Sequence, residues 1–429
     1  MFKSDNISIC FLSIDQLELN KIAKYYLYFR DKKQRDLQEF PNFEILSIKQ
    51  CLIASFKATA KKHDFIGFSV RQRTESGHYK EFSGTVRHSG RWIESALFLY
   101  DSQFSVIYTC SLGYTPQNKD SKTINVNSLK VSSCIVPFMK VRILSKFDAF
   151  RGKIAKTKKP NWNIGVLFKQ NTNDSKWTYI HAGNHDYKLL ADPFAFQYRG
   201  KKFVFCEAVK EDKGLIALFE LTENGLIFDS EVLEQPTHLS FPQILEMNEK
   251  FYMLPETSDS SRIDLYSTES FPKNWKYSRT LVKNVDAVDS LVIEVEGEFW
   301  ILTCLNLGII KNNHMMQWLF RVNPIDEFKT ESMRLNPTQM EGTKVRNGGL
   351  LNIDGSTIRV AQTPAFGIYG KNITLNAVRH ISEIGYFEDR IKSSNFPNDF
   401  KYSQVHHISG SENFFAFDYI TEKAENSSI

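Results

Sequence analysis

The sequence predicts a mainly β fold, with a five-bladed β-propeller over residues 161–429 and a small α/β domain before it. A strand–turn–strand pattern returns five times in the C-terminal part of the chain. Successive copies begin 49, 48, 58 and 56 residues apart, and periods of this length are typical of propeller blades. The earlier part lacks the pattern, so we expect a separate domain at 1–115 and a lysine-rich linker or arm at 116–160.

Each copy consists of an apolar strand, a polar turn and a strand rich in aromatic residues, with its first and last residues 15 positions apart. The copies span residues 192–207, 241–256, 289–304, 347–362 and 403–418. The predicted turns lie at 199–201, 248–250, 296–298, 354–356 and 409–411. Four of these turns contain glycine, which hairpins favour. Each period leaves room for two further strands, which completes a four-stranded blade. The constant interval disfavours the alternative, a β-sandwich or barrel whose hairpins are similar by chance.

The N-terminal domain is predicted from mixed helical and strand patterns. Ser47 is the expected N-cap of its second helix. The expected elements are a strand at Ile7–Ile14, helices at Asp15–Phe29 and Ser47–Lys62, and strands at Phe65–Val70, Ala96–Leu99 and Phe104–Leu112.

The composition, 42% hydrophobic and 24% charged residues, is that of a globular protein. The apolar runs are far shorter than the roughly 20 residues that span a bilayer. The N-terminus lacks the cleavage pattern of a secretory signal. Six cysteines are scattered without a CxxC pair, which favours a reduced, cytoplasmic protein without a zinc site.

The charge is uneven along the chain. Residues 1–160 hold 27 Lys and Arg against 14 Asp and Glu, whereas residues 161–429 hold 27 against 35. The basic part could contact phosphates or an anionic membrane, which would place the protein at the inner face of the membrane. A solvated lysine-rich surface is the alternative. No motif predicts nucleic-acid binding.

The repeat brings acidic side chains toward one centre, if the first strand of each hairpin is the innermost strand of its blade. The residues expected at one rim of the channel are Asp192, Glu207, Glu256, Asp289 and Asp418, with His238, Arg346, Asn347 and Gln362 from neighbouring stretches. Asp286 could replace Asp289 as the inward group. Clustered carboxylates raise one another's pKa, which leaves a protonated acid beside an ionised partner.

Chemistry on a glycosidic bond needs such a pair of carboxyl groups. We predict Asp192 as the base or nucleophile-like carboxylate and Glu256 as the acid. Glu207 would tune them or bind sugar hydroxyls. His238 would bind a hydroxyl or a phosphate, and Arg346 would hold an anionic group through two parallel hydrogen bonds.

Structural roles remain open for these residues. Asp192 precedes a proline and could cap a strand or turn. Glu207 and Glu256 could form ion pairs between blades, and His238 could be a hydrogen-bonded turn histidine. Gln362 could satisfy backbone groups near the axis.

No pattern predicts a metal or a cofactor. The sequence lacks the GxSxG, GxxxxGK[ST], HExxH and GxGxxG motifs. His406 and His407 are expected on a strand, where adjacent side chains point to opposite faces and chelate poorly. His181 and His185 lie in a polar loop without a clear set of carboxylates.

Short motifs along the C-terminal part occur in a recognisable order. They are WNIG at 162–165, ADPF at 191–194, FCE at 205–207, GLI at 214–216, HLSFP at 238–242, MLPE at 253–256, FPKNW at 271–275, RNGG at 346–349, RVAQ at 359–362 and YG at 369–370. Over about residues 160–390 the chain resembles the N-terminal domain of glucosamine inositolphosphorylceramide transferase and its bacterial homologues. That domain is similar to the five-bladed propellers of family-43 and family-32 glycoside hydrolases.

The resemblance implies carbohydrate chemistry or binding. It matches Asp192 to the Asp-Pro carboxylate of the first blade in those hydrolases, and it adds Tyr369 to the substrate-binding residues. Gln362 is followed by Thr363, where bacterial relatives usually carry an aspartate, and this weakens the expectation of full activity. Residues 1–115 faintly resemble a shortened formyltransferase without its Asn, His and Asp set, so we expect a structural remnant.

These observations favour an enzyme that transfers or hydrolyses a sugar linkage during the assembly of cell-surface polysaccharide or glycolipid. Its partners would be a sugar or nucleotide sugar and a glycan or glycolipid acceptor. The plant enzyme's glycosyltransferase domain is not within residues 1–429, so we do not expect that domain's activity. The alternatives are a non-catalytic propeller that binds glycan or glycolipid, and a scaffold for a partner glycosyltransferase.

Overall fold

The computed structural model describes residues 43–111, 162–169, 177–306, 314–339, 345–391 and 404–420, apart from positions 45, 47, 90–91, 184, 315, 366–367 and 383–384. The predicted strand Ile7–Ile14, the predicted helix Asp15–Phe29, the N-cap Ser47 and the linker at 116–160 lie outside these residues. Within the described residues, no helix is both long and apolar enough to cross a bilayer.

Residues 43–111 form a small unit of three antiparallel strands and two helices. In chain order its elements are β1 (Phe43–Glu44), α1 (Ile48–Lys61), β2 (Phe65–Arg73), β3 (Tyr79–Arg87) and α2 (Trp92–Ser111). The strands pair in the order β1-β2-β3. The second predicted helix and the strand after it are confirmed as α1 and β2.

The predicted strands Ala96–Leu99 and Phe104–Leu112 are wrong, because α2 runs through both segments as one helix of 20 residues. Ala96, Leu99 and Val106 are fully buried and recur at helical spacing. Short apolar runs fit a strand or a helix equally well. The absence of glycine and proline from this stretch lets the helix continue.

The remaining described strands form four sheets, which we divide into units of four antiparallel strands. β4 (Trp162–Phe168) and β5 (Thr178–His181) come first in the chain and join the last unit. Unit 1 contains β6 (Leu189–Tyr198), β7 (Lys201–Lys210), β8 (Lys213–Thr222) and β9 (Gly225–Leu233). Unit 2 contains β10 (Ser240–Met247), β11 (Lys250–Glu256), β12 (Arg262–Thr268) and β13 (Lys276–Lys283). Unit 3 contains β14 (Ala287–Val295), β15 (Glu298–Leu305), β16 (Met316–Asn323) and β17 (Lys329–Gln339).

Units 4 and 5 share one eight-stranded sheet. Unit 4 contains β18 (Asn347–Ile353), β19 (Ser356–Ala365), β20 (Ile368–Ile381) and β21 (Tyr386–Arg390). Unit 5 contains β22 (Ile408–Ser411) and β23 (Phe414–Ile420), followed in space by β4 and β5. β18 and β22 pair in parallel and join the two units. The pairing of β23 with β4 ties the end of this region to its beginning.

The repeated hairpins are confirmed, with one corrected turn. The first four turns place two residues in the left-handed region, as at Asn248 and Glu249, which suits the twist of paired strands. The fifth turn lies at Glu412 and the next residue, not at 409–411. Gly410 belongs to β22, where a Cβ atom would lie 2.2 Å from the carbonyl oxygen of Phe414.

A β-bulge recurs at the start of the first four hairpins. Its first residue is left-handed in three units, at Asp192, Phe241 and Asp289, with φ between 49° and 51°. Opposite the bulges, Glu207 pairs with Ala191, and Glu256 occupies the same position of unit 2. The bulges therefore hold acidic residues at equivalent places in successive units.

The fourth hairpin is one residue shorter on each strand than the predicted copy. Asn347 pairs with Ala361 and thus corresponds to Ala191 rather than to Asp192. Gln362 lies one residue beyond the paired position. Unit 4 has Gly348 and Ala361 where unit 1 has Asp192 and Glu207.

The first strands of the units contact one another in succession. β6 contacts β10, β10 contacts β14, β14 contacts β18, β18 contacts β22, and β22 contacts β6. Side chains reinforce these contacts. Gln243 donates to the carbonyl of Val292 at 2.8 Å and accepts its N–H at 2.6 Å, and the Ser409 hydroxyl donates to the carbonyl of Pro193 at 2.7 Å. The first strands of the five units therefore lie next to one another in the same succession as in the sequence.

The N-terminal unit packs against units 2 and 3. Phe98 of α2 shares one buried apolar cluster with Tyr252 and Trp318, and α2 also contacts β17.

Candidate functional site

Asp192 occupies the bulge of β6 with a largely buried side chain. Its Oδ1 lies 3.2 Å from Nε2 of His406 and 3.7 Å from Nδ1 of His407. Burial opposes ionisation of Asp192, but the hydrogen bond from His406 and nearby positive charges, including Arg346, outweigh it and lower its pKa. The side chain of Asp192 is therefore ionised at neutral pH.

Asp418 lies behind Asp192 and is fully buried. Its Oδ1 accepts the backbone N–H groups of His406 and His407 at 3.0 and 2.9 Å. Its Oδ2 accepts the N–H of Asp192 at 3.1 Å. Asp418, which was predicted as a substrate-binding residue, therefore anchors two backbone segments of the site, at Asp192 and at residues 406–407.

The prediction that the side chains of His406 and His407 point to opposite faces assumed that both residues lie in a strand, and this assumption is wrong. Residues 404–407 precede β22 and are not in a strand. Both rings approach Asp192, and the ligand atoms of Asp192, His406 and Asp418 lie within 4.8 Å of one another. Both ring nitrogens of His406 face carboxylate oxygens, at 3.2 and 2.8 Å.

Glu207 and His238 form a second pair. Nε2 of His238 lies 2.9 Å from Oε1 of Glu207, while Nδ1 accepts the N–H of Gly214 at 3.0 Å. The glycine is needed here, because a Cβ atom at Gly214 would lie 2.7 Å from Cε1 of His238. Both nitrogens are engaged, so His238 orients Glu207 rather than presenting a free nitrogen to a hydroxyl or phosphate.

Two influences act on the protonation of this pair. The hydrogen bond to Glu207 raises the pKa of His238, whereas the Gly214 N–H can be accepted only by an unprotonated Nδ1 and favours the neutral ring. For Glu207, burial and the charge of Asp192 raise the pKa, and His238 opposes them. The pair therefore holds one proton on Nε2, directed at the Glu207 carboxylate.

Glu256 ends β11 and behaves oppositely to Asp192. Its Oε2 accepts the N–H of Asp289 at 3.0 Å, and its Oε1 accepts the hydroxyl of Ser258 at 2.9 Å. Burial and the charge of Asp289 nevertheless raise the pKa of Glu256 to about 8. At neutral pH Glu256 is mainly a protonated acid.

Arg346 makes a bidentate ion pair with Asp289, through Nε to Oδ2 and through Nη2 to Oδ1. The aspartate side chain is 4% exposed and the arginine side chain 20%. This pair occupies the fork that was expected to hold an anionic substrate group. Asp286, the alternative to Asp289, instead contacts Asn306 and His314.

Asn347 and Gln362 satisfy the backbone. The Asn347 amide donates to the carbonyls of Asp289 and Leu302, at 2.7 and 3.1 Å. The Gln362 amide donates to the carbonyl of Asn347 at 2.7 Å. Both side chains are buried, which fits the structural role left open for Gln362. The side chain of Tyr369 lies outside the described residues.

Ionisable groups from units 1, 2, 3 and 5 influence one another. Asp192 and His406 act on Glu207, Glu256 acts on His238, and Asp289 acts on His407. Residues distant in sequence thus face one region. Sequence reasoning did not include His406 among the site residues. The available signal was Asp418, the acidic residue at the last position of the fifth copy, which contacts both the ring and the backbone of His406.

Comparison with known proteins identifies the relatives of this chain. Residues 178–407 match the family described as "Glucosamine inositolphosphorylceramide transferase 1, N-terminal". Glucosamine inositolphosphorylceramide transferase 1 of Arabidopsis thaliana is 27% identical over 212 residues, which cover 48% of this chain and 28% of that protein. The protein of the same name from Oryza sativa subsp. japonica is 24% identical over 286 residues, which cover 58% and 38%. The chain thus spans well under half the length of either relative.

Solved structures that match this chain include glycoside hydrolases. The Bombyx mori GH32 β-fructofuranosidase BmSUC1 has a TM-score of 0.42 at 13% identity and covers 58% of this chain and 69% of its own. The catalytic domain of the Coprinopsis cinerea GH62 α-L-arabinofuranosidase has a TM-score of 0.42 at 11% identity and covers 62% and 92%. The family match extends over more than half of the chain and confirms the resemblance carried by the ordered motifs. The chain therefore belongs to the family of N-terminal domains of glucosamine inositolphosphorylceramide transferase 1.

Proposed function

We propose that the five four-stranded units are the blades of a β-propeller and that their first strands surround a central funnel. The succession of contacts from β6 through β10, β14, β18 and β22 back to β6 supports this arrangement. The composition of unit 5 also supports this arrangement, because β4 and β5 from the start of the region complete the sheet of β22 and β23 from its end. A blade that combines strands from both ends of the chain segment closes the ring of a propeller. The proposed domain limits are 1–115, 116–160 and 161–429.

We propose further that this funnel acts on a glycosidic linkage during the assembly of a glycolipid or a cell-surface polysaccharide. The observation that carries the proposal is the opposite shift of two carboxyl groups, with the pKa of Asp192 lowered and that of Glu256 raised to about 8. Pairs of titratable groups whose pKa values are pushed apart mark acid and base roles. Membership of the family supports the choice of a carbohydrate.

In this proposal each carboxyl group has one task. Glu256 would donate its proton to the leaving oxygen of the sugar linkage. Asp192, ionised, would activate the attacking group or stabilise positive charge at the anomeric carbon. Glu207, oriented by His238, would accept a sugar hydroxyl. Asp289 would neutralise the positive charge of Arg346, which on its own would lower the pKa of Glu256.

The proposed partners follow from the family and from the charge distribution. They are a sugar or nucleotide sugar, a glycan or glycolipid acceptor and, for the rest of the assembly, a partner glycosyltransferase. Contact of the basic residues 1–160 with an anionic membrane would place the protein at the cytoplasmic face of that membrane. The buried thiols of Cys51, Cys206 and Cys304 support a reducing compartment.

A screen of nucleotide sugars and glycolipids tests the enzymatic proposal. Asp192→Asn and Glu256→Gln should each lower turnover by about 10²–10⁴-fold, the usual contribution of a general acid or base. Asp389→Asn, on the exposed end of β21, is the matched control and should keep wild-type turnover. Wild-type turnover by both site variants would remove the two carboxyl groups from the catalytic role.

A scaffold is the second candidate, because buried rings fill part of the space among the first strands. His407 stacks on Phe241 with ring centroids 4.9 Å apart and meets Phe194 edge-on at 4.6 Å. These rings come from three different units. The scaffold would be favoured if the wild type neither turned over nor saturably bound any sugar and the propeller captured a glycosyltransferase.

A further inference from the structure

His406 lies between two carboxylates from different units. Its Nε2 is 3.2 Å from Oδ1 of Asp192, and its Nδ1 is 2.8 Å from Oδ2 of Asp418. The Asp418 oxygen lies out of line with the ring N–H, so this contact is an ion pair rather than a linear hydrogen bond. The imidazole side chain is only 4% exposed, so water does not compete for either nitrogen.

The chemistry of these partners fixes the charge of the ring. An ionised carboxylate only accepts hydrogen bonds, and a neutral imidazole has one N–H and one lone pair. A neutral His406 would therefore place an unprotonated nitrogen, which carries a lone pair, within 3.2 Å of one of the two carboxylates. Both contacts are attractive only when both ring nitrogens carry protons.

Backbone donors engage both oxygens of Asp418. Its two oxygens accept three backbone N–H groups, from Asp192, His406 and His407. Hydrogen bonds donated to a carboxylate stabilise the charged form. Since both Asp418 oxygens already accept backbone N–H groups, we place the proton at Nδ1 of His406.

We infer that His406 is a protonated positioning residue that ties Asp192 to Asp418 and holds the Asp192 carboxylate ionised in the funnel. The inference deepens the proposed function and rests on it for its meaning. It assigns Asp192 to the base or charge-stabilising role and excludes it as the proton donor. His406 acts through Asp192 and does not itself need to touch the substrate.

The groups that face His406 come from every neighbouring element. Asp192 approaches from β6, Asp418 from β23, and the charge of Glu207 on β7 also acts on it. Arg346, which precedes β18, acts on the same Asp192 carboxylate. His407 is the neighbouring imidazole, and its pKa is lowered by burial, so the chain places one charged ring and one neutral ring beside Asp192.

Packing keeps the ring in place. The ring centroid of Trp162 lies 4.4 Å from that of His406, with the planes at 61°. Gly370 makes room for this contact, because a Cβ atom there would lie 2.5 Å from Cη2 of Trp162 and 2.9 Å from Cβ of His406. Residues of the motifs at 162–165 and 369–370, which are distant from His406 in the sequence, therefore hold its ring in place.

Nitrogen-15 NMR of the histidine rings in the wild-type protein tests the inference without any mutation. Both ring nitrogens of His406 should carry protons from about pH 5 to about pH 8, where an ordinary histidine loses its charge. His380, whose side chain is 41% exposed, is the internal comparison. A neutral His406 with a single N–H at neutral pH would overturn the inference.

A variant provides the second readout. His406→Gln should raise the pKa of Asp192, followed by carbon-13 NMR of its carboxyl group, by about one unit or more, because a nearby positive charge lowers a carboxyl pKa by 1–3 units. His380→Gln should leave it unchanged. An unchanged Asp192 pKa in folded His406→Gln would contradict the inference, as would a divalent cation that removes the ring protons of His406. A failed sugar screen with both NMR results intact would reject the proposed function and not this assignment.

Discussion

Arg359→Met should lower the free energy of unfolding by about 3–5 kcal/mol, because it leaves a buried carboxylate without its partner. The Arg359 side chain is 0% exposed and that of Glu388 is 2% exposed. Two parallel hydrogen bonds of 2.8 Å join them. The arginine also donates to Asn347 at 3.0 Å, which in turn binds the backbone of unit 3. The loss would therefore spread from unit 4 to its neighbour.

Urea denaturation measures this effect. The matched control is Arg379→Met, whose ion pair with Asp389 lies between side chains 54% and 72% exposed, and such surface pairs contribute less than about 1 kcal/mol. Adding Glu388→Leu to Arg359→Met should restore part of the stability, because an apolar pair needs no counter-charge. Equal losses for Arg359→Met and Arg379→Met would contradict the description of a dry ion pair.

The second large effect is a loss of stability with rising pH that depends on Glu256. The pKa of Glu256 is raised from 4.5 to about 8 in the folded protein. Between these values the folded state binds more protons than the unfolded state, so raising the pH favours unfolding. The contribution is fully present below about pH 4.5 and is lost as the pH passes about 8, with a total of roughly 3–5 kcal/mol.

Glu256→Gln removes the titrating group and should remove this dependence. In urea denaturation at acidic, neutral and alkaline pH, the variant should gain stability relative to the wild type as the pH rises. Glu246→Gln, an exposed position on β10 of the same unit, is the control and should follow the wild type. Parallel pH profiles for the wild type and Glu256→Gln would show that Glu256 is not held protonated.

The hairpins could be predicted because the repeat supplies the same information five times. The constant spacing and the recurring polar turns indicated the strands that β6, β7, β10 and β11 confirm. A single segment offers no such redundancy, and α2 was assigned to strands because its apolar runs fit both periods. The turn at Glu412 was misplaced because Gly410 is needed for a close approach between strands rather than for a turn.

The positions of the carboxylates could be predicted from the equivalent positions of the repeat. Their hydrogen-bond and ion-pair partners could not. Arg346 meets Asp289 across 57 positions of sequence, and the N–H of Gly214 engages His238 across 24. These contacts depend on how neighbouring units pack, which periodicity does not encode. His406 was set aside because its segment was assigned to a strand, where neighbouring side chains diverge.

The central claim is that residues far apart in the chain place an ionised Asp192 and a protonated Glu256 in one shared site. Carbon-13 NMR titration of the two carboxyl groups in the wild-type protein tests it most directly. The account predicts that Glu256 titrates near pH 8 and Asp192 below its ordinary value of 3.8. Ordinary titration of both groups, with each close to its solution value, would contradict it.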